Sequence, residues 1–224
     1  MRLSCFPVNI DLLLEENKAQ VLILENQIIF SEFLERLNEQ FSGRDRDILL
    51  SDDEKKLSIS KVAEVVYTPI LLDLNSKKIQ THLFKEMCEI STEYFSGEKE
   101  YINSAIIDIL DKITEKMPYP VSFSLDSELT PIFKQYDVHL DFGGVSLIEK
   151  LLAYIQLEKQ LCDTQLIIFV NLKAYIGKEE LGELYKTAFY NKVQIILVES
   201  QESYCLHAEN YYIIDKNKCV IQHN

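Results

Sequence analysis

The sequence lacks long apolar runs, paired cysteines and a processing signal. No stretch reaches the roughly 18 apolar residues that a helix needs to cross a bilayer, so we expect no membrane span. The apolar start, Met1 to Ile10, has only Arg2 as a basic flank and no small-residue cleavage site, which predicts an opening strand rather than a signal peptide. The five cysteines are scattered without Cys-x-x-Cys spacing and indicate a reducing, cytoplasmic location.

Positive charge is also scarce. The 224 residues hold 23 Lys and Arg against 36 Asp and Glu, a net charge of −13. Taken alone, this excess of acid disfavours nucleic acid as a partner, because phosphate binding depends on Lys and Arg releasing counterions. The local field decides binding, however, and lysines gathered on one surface can still hold DNA.

A phosphate-binding loop is missing from the place where an α/β nucleotide enzyme carries one. Such a loop needs glycines and a Lys, but the first strand continues as Leu24-Glu-Asn-Gln-Ile28, with no glycine before Gly43. The later strand Leu166 to Val170 runs into Asn171, where a hydrolase would place an Asp for magnesium. These two defects predict that the chain does not hydrolyse nucleotides.

Other catalytic signatures are absent as well. The four histidines form no His-Glu-x-x-His pattern, and no Gly-x-Ser-x-Gly elbow occurs. Cys205 and His207 share a face if they lie on a strand, but nothing in the sequence identifies a third group to orient the base. The sequence therefore predicts a protein that is not an enzyme.

Buried strands alternate with helices at both ends of the sequence. This order predicts an α/β head, formed by residues 1–60 and 163–224, with a largely parallel sheet. Residues 61–162 predict an inserted α-helical arm, in which the turn at 96–99 joins two amphipathic helices. The apolar segments that predict strands are 21–24, 48–50, 166–170, 193–198, 211–214 and 219–221.

Two sets of charged residues are candidates for binding. Carboxylates crowd the segments 124–128 and 136–141 and recur at Glu149; they suit a hard cation such as calcium, although Asp126 or Ser127 also suits a helix N-cap. Basic residues occur in pairs, among them Arg44 with Arg46 and Lys55 with Lys56, but acidic residues lie between them. The alternative for these basic residues is an ordinary solvated surface.

Several segments together resemble the short form of the accessory adaptation protein of type II-A CRISPR systems. The likeness covers the whole chain and is one of length and order rather than of a diagnostic motif. The segments that carry it, besides the inserted arm, are Val21-Leu-Ile-Leu-Glu-Asn26, Ile48-Leu-Leu-Ser-Asp-Asp-Glu-Lys-Lys-Leu-Ser-Ile59, Val198-Glu-Ser200 and Tyr211-Tyr-Ile-Ile-Asp-Lys-Asn-Lys-Cys219.

The resemblance implies a head like a degenerate P-loop ATPase and a non-catalytic homotetrameric ring. Such a ring binds calcium, holds linear double-stranded DNA near its ends without sequence preference, and serves spacer acquisition with the integrase and the RNA-guided nuclease. By this resemblance the calcium candidates are Asp126, Glu128, Asp137, Asp141 and Glu149, and the DNA candidates are Arg44, Arg46, Lys55 and Lys56. The alternatives are a nucleotide-dependent enzyme with an unusual loop and a protein-interaction scaffold.

Overall fold

A computed structural model describes residues 1–44, 47–53, 55–124 and 128–223. In this part of the chain, strands and helices alternate at both ends and helices fill the middle. The strands are β1 (Arg2–Cys5), β2 (Ile10–Leu13), β3 (Ala19–Leu24), β4 (Ile48–Asp52), β5 (Lys55–Leu57), β6 (Ala63–Val66), β7 (Leu166–Val170), β8 (Gln194–Glu199), β9 (Glu209–Ile214) and β10 (Val220–His223). The α-helices are α1 (Gln27–Phe41), α2 (Ile59–Val62), α3 (Lys77–Tyr94), α4 (Ser96–Thr114), α5 (Thr130–Gln135), α6 (Leu147–Cys162) and α7 (Lys178–Tyr190).

The larger sheet has six strands in the order β10-β9-β3-β8-β7-β6. The five strands from β9 to β6 are parallel, and only β10 pairs antiparallel, at the edge. Every residue of β3 and β7 is buried, as expected of parallel strands covered on both faces. The predicted parallel sheet is confirmed, and the segments predicted as strands at 211–214 and 219–221 pair with each other as β9 and β10.

A second sheet of four antiparallel strands, in the order β2-β1-β4-β5, packs with α1 into the same core. The buried face of α1 consists of Ile29, Phe33 and Leu37, at the spacing of one helical stripe. These side chains join residues of the small sheet, such as Leu3 and Leu50, in one apolar cluster. The opening strand predicted at Met1 to Ile10 is the start of this sheet.

The chain divides into two compact units, the first formed by Met1–Leu74 with Phe142–Asn224 and the second by Asn75–Asp141. These boundaries differ from the predicted ones, which gave residues 61–74 and 142–162 to the arm. The reason is packing: β6 pairs with β7, and α6 buries Leu151 and Ile155 within the first unit. Helical periodicity identified α6 but could not show which unit it packs against.

The second unit contains α3, α4 and α5. Its two ends are tied by Asn75, whose side-chain amide donates to the Leu140 carbonyl (2.9 Å) and accepts from the Leu140 N–H (2.8 Å). The predicted turn at 96–99 is wrong, because α4 already begins at Ser96 and Phe95 alone interrupts the helices. Within the described residues, no helix is long and apolar enough to cross a membrane.

Candidate functional site

The connection from β3 to α1 occupies the position of a phosphate-binding loop. It consists of Glu25 and Asn26 only, and the Asn26 side chain accepts hydrogen bonds from the N–H groups of Ile28 (3.1 Å) and Ile29 (3.2 Å). These N–H groups are donors that a helix start would otherwise offer to a phosphate. The Asn26 amide also donates to the carbonyl of Lys216 (3.0 Å). The turn is therefore closed by its own side chain.

The position expected for a magnesium-binding Asp is held by Asn171, directly after β7. Asn171 adopts a left-handed conformation (φ 50°), and its side-chain oxygen accepts the N–H of Ser200 (2.9 Å). The side chain thus joins the ends of β7 and β8. Asn and Asp tolerate this backbone conformation better than most residues, so Asn171 has a structural role here.

The candidate DNA residues Lys55 and Lys56 lie on β5, at the open edge of the four-stranded sheet. Both are exposed, and as neighbours on a strand they project to opposite faces. Lys56 lines a groove of about 420 Å³ that also contains Gln40 and Gly43, at the end of α1. Lys55 instead lines a hollow with Asp52 and Asp53. The structure thus separates the two lysines.

Arg44 follows the glycine that ends α1. Gly43 has φ +80°, a conformation that favours glycine, and the Arg44 N–H donates to the Glu39 carbonyl (3.0 Å) as in a Schellman motif. The Arg44 guanidinium is 73% exposed and lies 3.9 Å from the Glu39 carboxylate. Gly43 lines the groove beside Lys56, and Arg44 is the next residue along the chain. Arg46 lies outside the described residues.

The calcium candidates fall in different parts of the chain. Glu128, Asp137 and Asp141 belong to the second unit, Glu149 belongs to the first, and Asp126 lies outside the described residues. Asp137 has a left-handed backbone (φ 49°) and a 96% exposed side chain, 3.7 Å from the His139 ring. Among the residues that the structure describes, no group of three or more carboxylates, histidines or cysteines is placed to hold a metal ion.

Glu149 has a local structural role at the start of α6. Its carboxylate accepts from the N–H and the hydroxyl of Ser146 (both 2.7 Å), and the Ser146 hydroxyl accepts the Glu149 N–H (3.4 Å). This reciprocal pair is a capping box. The hydrogen bonds from Ser146 hold the pKa of Glu149 below its usual value. A cap therefore accounts for this carboxylate without a metal.

Sequence reasoning missed a buried polar cluster centred on Lys173 and Glu209. The Lys173 ammonium contacts the Glu209 carboxylate (2.8 Å) and donates to the Tyr204 carbonyl (2.8 Å) and the Tyr211 hydroxyl (3.2 Å). The Tyr185 hydroxyl donates to Glu209 (2.6 Å). The pKa of Tyr185 is strongly raised, mainly because the hydroxyl is buried and also because the negative charge of Glu209 lies beside it. The only sequence signal was one Lys among apolar residues after β7.

The comparisons with known proteins decide the family. The sequence matches the model of a family described as CRISPR-associated protein (Cas_Csn2) over residues 40–218. The chain belongs to this Csn2 family of CRISPR-associated proteins. The resemblance to a type II-A CRISPR protein predicted from the sequence is thereby confirmed.

Two relatives agree with this assignment along nearly their full length. A CRISPR-associated protein Csn2 from Streptococcus agalactiae is 25% identical over 226 residues, covering 98% of this chain and 97% of the relative. A second Csn2, from Enterococcus faecalis, is 23% identical over 220 residues, covering 94% and 95%. Both are named as CRISPR-associated proteins, not after an enzymatic activity.

One solved structure shares the fold. It is the ATP-binding cassette of an ABC transporter in its ADP conformation, with a TM-score of 0.50 and 10% identity, covering 98% of this chain and 88% of the other. At this identity the likeness concerns the fold alone. It agrees with the predicted P-loop-like arrangement of a largely parallel sheet and helices.

Proposed function

We propose that this protein is a non-catalytic DNA-binding component of CRISPR adaptation. In this proposal a homotetrameric ring holds linear double-stranded DNA during spacer acquisition, alongside the integrase and the RNA-guided nuclease. The turn after β3 supports the non-catalytic part of the proposal. The Asn26 side chain there already accepts hydrogen bonds from the N–H groups that would otherwise bind a phosphate. Membership in a family of CRISPR-associated proteins supports the role in adaptation.

The DNA-binding part of the proposal depends on a few exposed cations in an acidic chain. Arg44, Lys55 and Lys56 are all exposed and lie near or on the β4–β5 hairpin and the end of α1. With a net charge of −13, most of the surface repels phosphates, so binding must concentrate on such patches. Contacts of this kind reach phosphates only and carry no sequence information.

A direct test measures binding of linear and covalently closed duplexes of one sequence, at several salt concentrations. We expect binding to the linear form only, because a closed ring admits DNA over a free end. The double variant Lys55→Glu with Lys56→Glu should weaken binding to all DNA sequences alike. It should also flatten the slope of the logarithm of the binding constant against the logarithm of the salt concentration, by about 0.9 for each lost phosphate contact. Equal binding of both topologies would refute threading, and binding of neither would refute the whole DNA proposal.

A matched control keeps the change in net charge constant. Lys178 and Lys186 are exposed on α7, and replacing both with Glu alters the charge as much as the hairpin variant does. If binding depends on Lys55 or Lys56, the α7 variant should bind DNA nearly as tightly as the wild type. Equal losses in both variants would mean that net charge, rather than these two lysines, governs affinity.

Calcium belongs to the same proposal, with Asp126, Glu128, Asp137 and Asp141 as the candidate ligands. An ion that binds only the native form raises the melting temperature by mass action. We expect calcium to raise the melting temperature and Asp137→Asn to make this rise smaller. Glu149→Gln should leave the rise unchanged, because glutamine also serves in a capping box. A melting temperature that is the same in calcium and in chelator would contradict the calcium proposal.

The second candidate function is a protein-interaction scaffold. One observation favours it: α4 has no buried residue along its 19 positions, and Ile102, Ile106 and Ile109 on one side are 39%, 42% and 56% exposed. Exposed apolar faces of this kind commonly mark interaction sites. The DNA titrations separate the two functions, since a pure scaffold has negligible affinity for DNA at any salt concentration.

A further inference from the structure

A polar cavity of about 250 Å³ lies at the amino end of β3 and β9, away from the turn after β3. Its wall includes five polar or charged side chains, supplied by both sheets and by the segment between β2 and β3. These residues are Arg2, Asp11, Glu15, Gln20 and Asn210. Arg2, Asp11 and Glu15 are exposed at the mouth of the cavity, whereas Gln20 and Asn210 are buried.

Two buried amides form the floor of this cavity. Gln20 on β3 and Asn210 on β9 are register partners, so their side chains project from the same face of the sheet. They are only 5% and 6% exposed. The Asn210 amide donates to the Glu15 carboxylate (3.3 Å), whereas the Gln20 side chain has no hydrogen-bond partner among the residues that the structure describes. Gln20 therefore presents unused donors and acceptors to the cavity.

The charges around the cavity leave one negative charge in excess. The Arg2 guanidinium donates through Nε to Asp11 (2.7 Å), and Ser4 also donates to Asp11 (2.8 Å), so this pair is internally neutral. On the cavity wall Arg2 already pairs with Asp11, whereas the Glu15 carboxylate accepts a hydrogen bond from the uncharged Asn210 amide. An anionic ligand would meet this carboxylate, whereas a cation with several N–H donors would find carboxylate and amide oxygens.

We propose that this cavity binds an organic cation that carries a guanidinium or primary ammonium group. Its N–H groups would donate to the Glu15 carboxylate and to the side-chain oxygens of Gln20 and Asn210. Charge-assisted hydrogen bonds of this type are stronger than neutral ones, and the planar guanidinium matches several acceptors at once. The source is either a free amine, such as a polyamine or agmatine, or the Arg or Lys side chain of a partner protein.

The test follows the side-chain amide signals of Gln20 and Asn210 by NMR, assigned through Gln20→Leu and Asn210→Leu. Agmatine and putrescine represent free amines, and a blocked Gly-Arg-Gly peptide represents a protein side chain. We expect at least one of these probes to shift both signals saturably below about 10 mM. Glu15→Gln should weaken that probe about tenfold, which corresponds to the loss of a charge-assisted hydrogen bond.

Three controls make the proposal refutable. Tetramethylammonium carries charge without N–H donors, so equal shifts with this ion would overturn the proposal. Calcium that shifts the signals when no amine does would make the cavity a metal site and overturn it as well. If no probe shifts the wild-type signals, water alone fills the cavity. Gln194→Leu, on β8 outside the cavity wall, should leave amine binding unchanged, and none of these titrations contains DNA.

Discussion

The ammonium of Lys173 lies 2.8 Å from the carboxylate of Glu209, and the two side chains are 2% and 0% exposed. The pair joins the segment after β7 to the first residue of β9. The cluster also fixes the chain between β8 and β9, because the Leu206 N–H donates to Glu209 (2.7 Å) and Lys173 donates to the Tyr204 carbonyl. Such satisfied networks rigidify the structure around them.

Removing one partner of this pair should be strongly destabilising. Lys173→Met leaves the Glu209 carboxylate buried without its cation, and such changes typically cost about 3–5 kcal/mol. We expect a matching fall in the free energy of unfolding, measured by urea titration followed by circular dichroism. Lys173→Met with Glu209→Leu should recover part of the loss, because no unpaired buried charge then remains.

The control for this prediction is Lys186→Met, on the exposed side of α7. It should change the free energy of unfolding by less than about 0.5 kcal/mol, as is usual for surface sites. If Lys173→Met is equally harmless, the ion pair does not stabilise the fold.

The strands and helices of the core were predictable because their periodicity is local. The buried runs at 21–24, 166–170 and 193–198 became β3, β7 and β8, and Ile29, Phe33 and Leu37 lie at helical spacing in the sequence and on the buried face of α1. The four-stranded sheet was not predicted as such. Its strand β5 has only three residues, two of them Lys, and forms because β4 offers an edge to pair with. Pairing between distant segments leaves no periodic signal in the sequence.

For the candidate site, the sequence predicted only what is missing, namely a phosphate-binding loop and an Asp for magnesium. The missing glycines before Gly43 indicated that the turn after β3 binds no phosphate, but not that Asn26 closes it from both sides. The Lys173–Glu209 pair joins residues 36 positions apart in sequence, and only the assembled sheet brings them together. Carboxylate clustering could not distinguish a metal ligand from a cap, and at Glu149 the structure supplies the cap.

A pH dependence of stability should arise from Glu199. Burial raises the pKa of this carboxyl to about 7, although the backbone N–H and the charge of Lys173 lower it. The folded protein therefore retains a proton that the unfolded chain releases near its ordinary pKa of about 4.3. Glu199 thus lowers the stability of the fold as the pH rises from about 4.3 to 7, by about 4 kcal/mol at most, and changes it little above that.

The measurement compares the free energy of unfolding at pH 5 and pH 8 in wild type and Glu199→Gln. Glutamine still accepts the Lys173 N–H (3.1 Å in the wild type) but does not titrate. We expect the variant to gain stability relative to wild type at pH 8 more than at pH 5. Glu183→Gln, exposed on α7, should follow the wild type at both values. An identical pH response in wild type and Glu199→Gln would mean that Glu199 does not titrate in this range.

Asn26→Ala tests whether the turn after β3 serves the fold rather than a nucleotide. The change removes the N-cap of α1 and the hydrogen bond to Lys216, and losing an Asn cap typically costs about 1 kcal/mol. We expect a lower free energy of unfolding and no ATP binding by calorimetry in either wild type or variant. Micromolar binding of ATP with magnesium by the wild type would instead favour a nucleotide-dependent enzyme.

The exposed face of α4 should carry self-association if the protein assembles as proposed. Ile102, Ile106, Ile109 and Ile113 follow the alternating spacing of four and three residues that packs one helix against another. Ile109→Lys puts a charge on this face, where it would be buried in the assembled form. We therefore expect the association constant, measured by sedimentation velocity, to fall at least about tenfold.

Ser104→Lys adds the same charge to an exposed position outside this stripe and should leave association unchanged. The melting temperature at the lowest protein concentration should be similar in both variants, because α4 buries no residue within the chain itself. Unaltered association of the Ile109 variant would show that assembly, if it occurs, uses another surface.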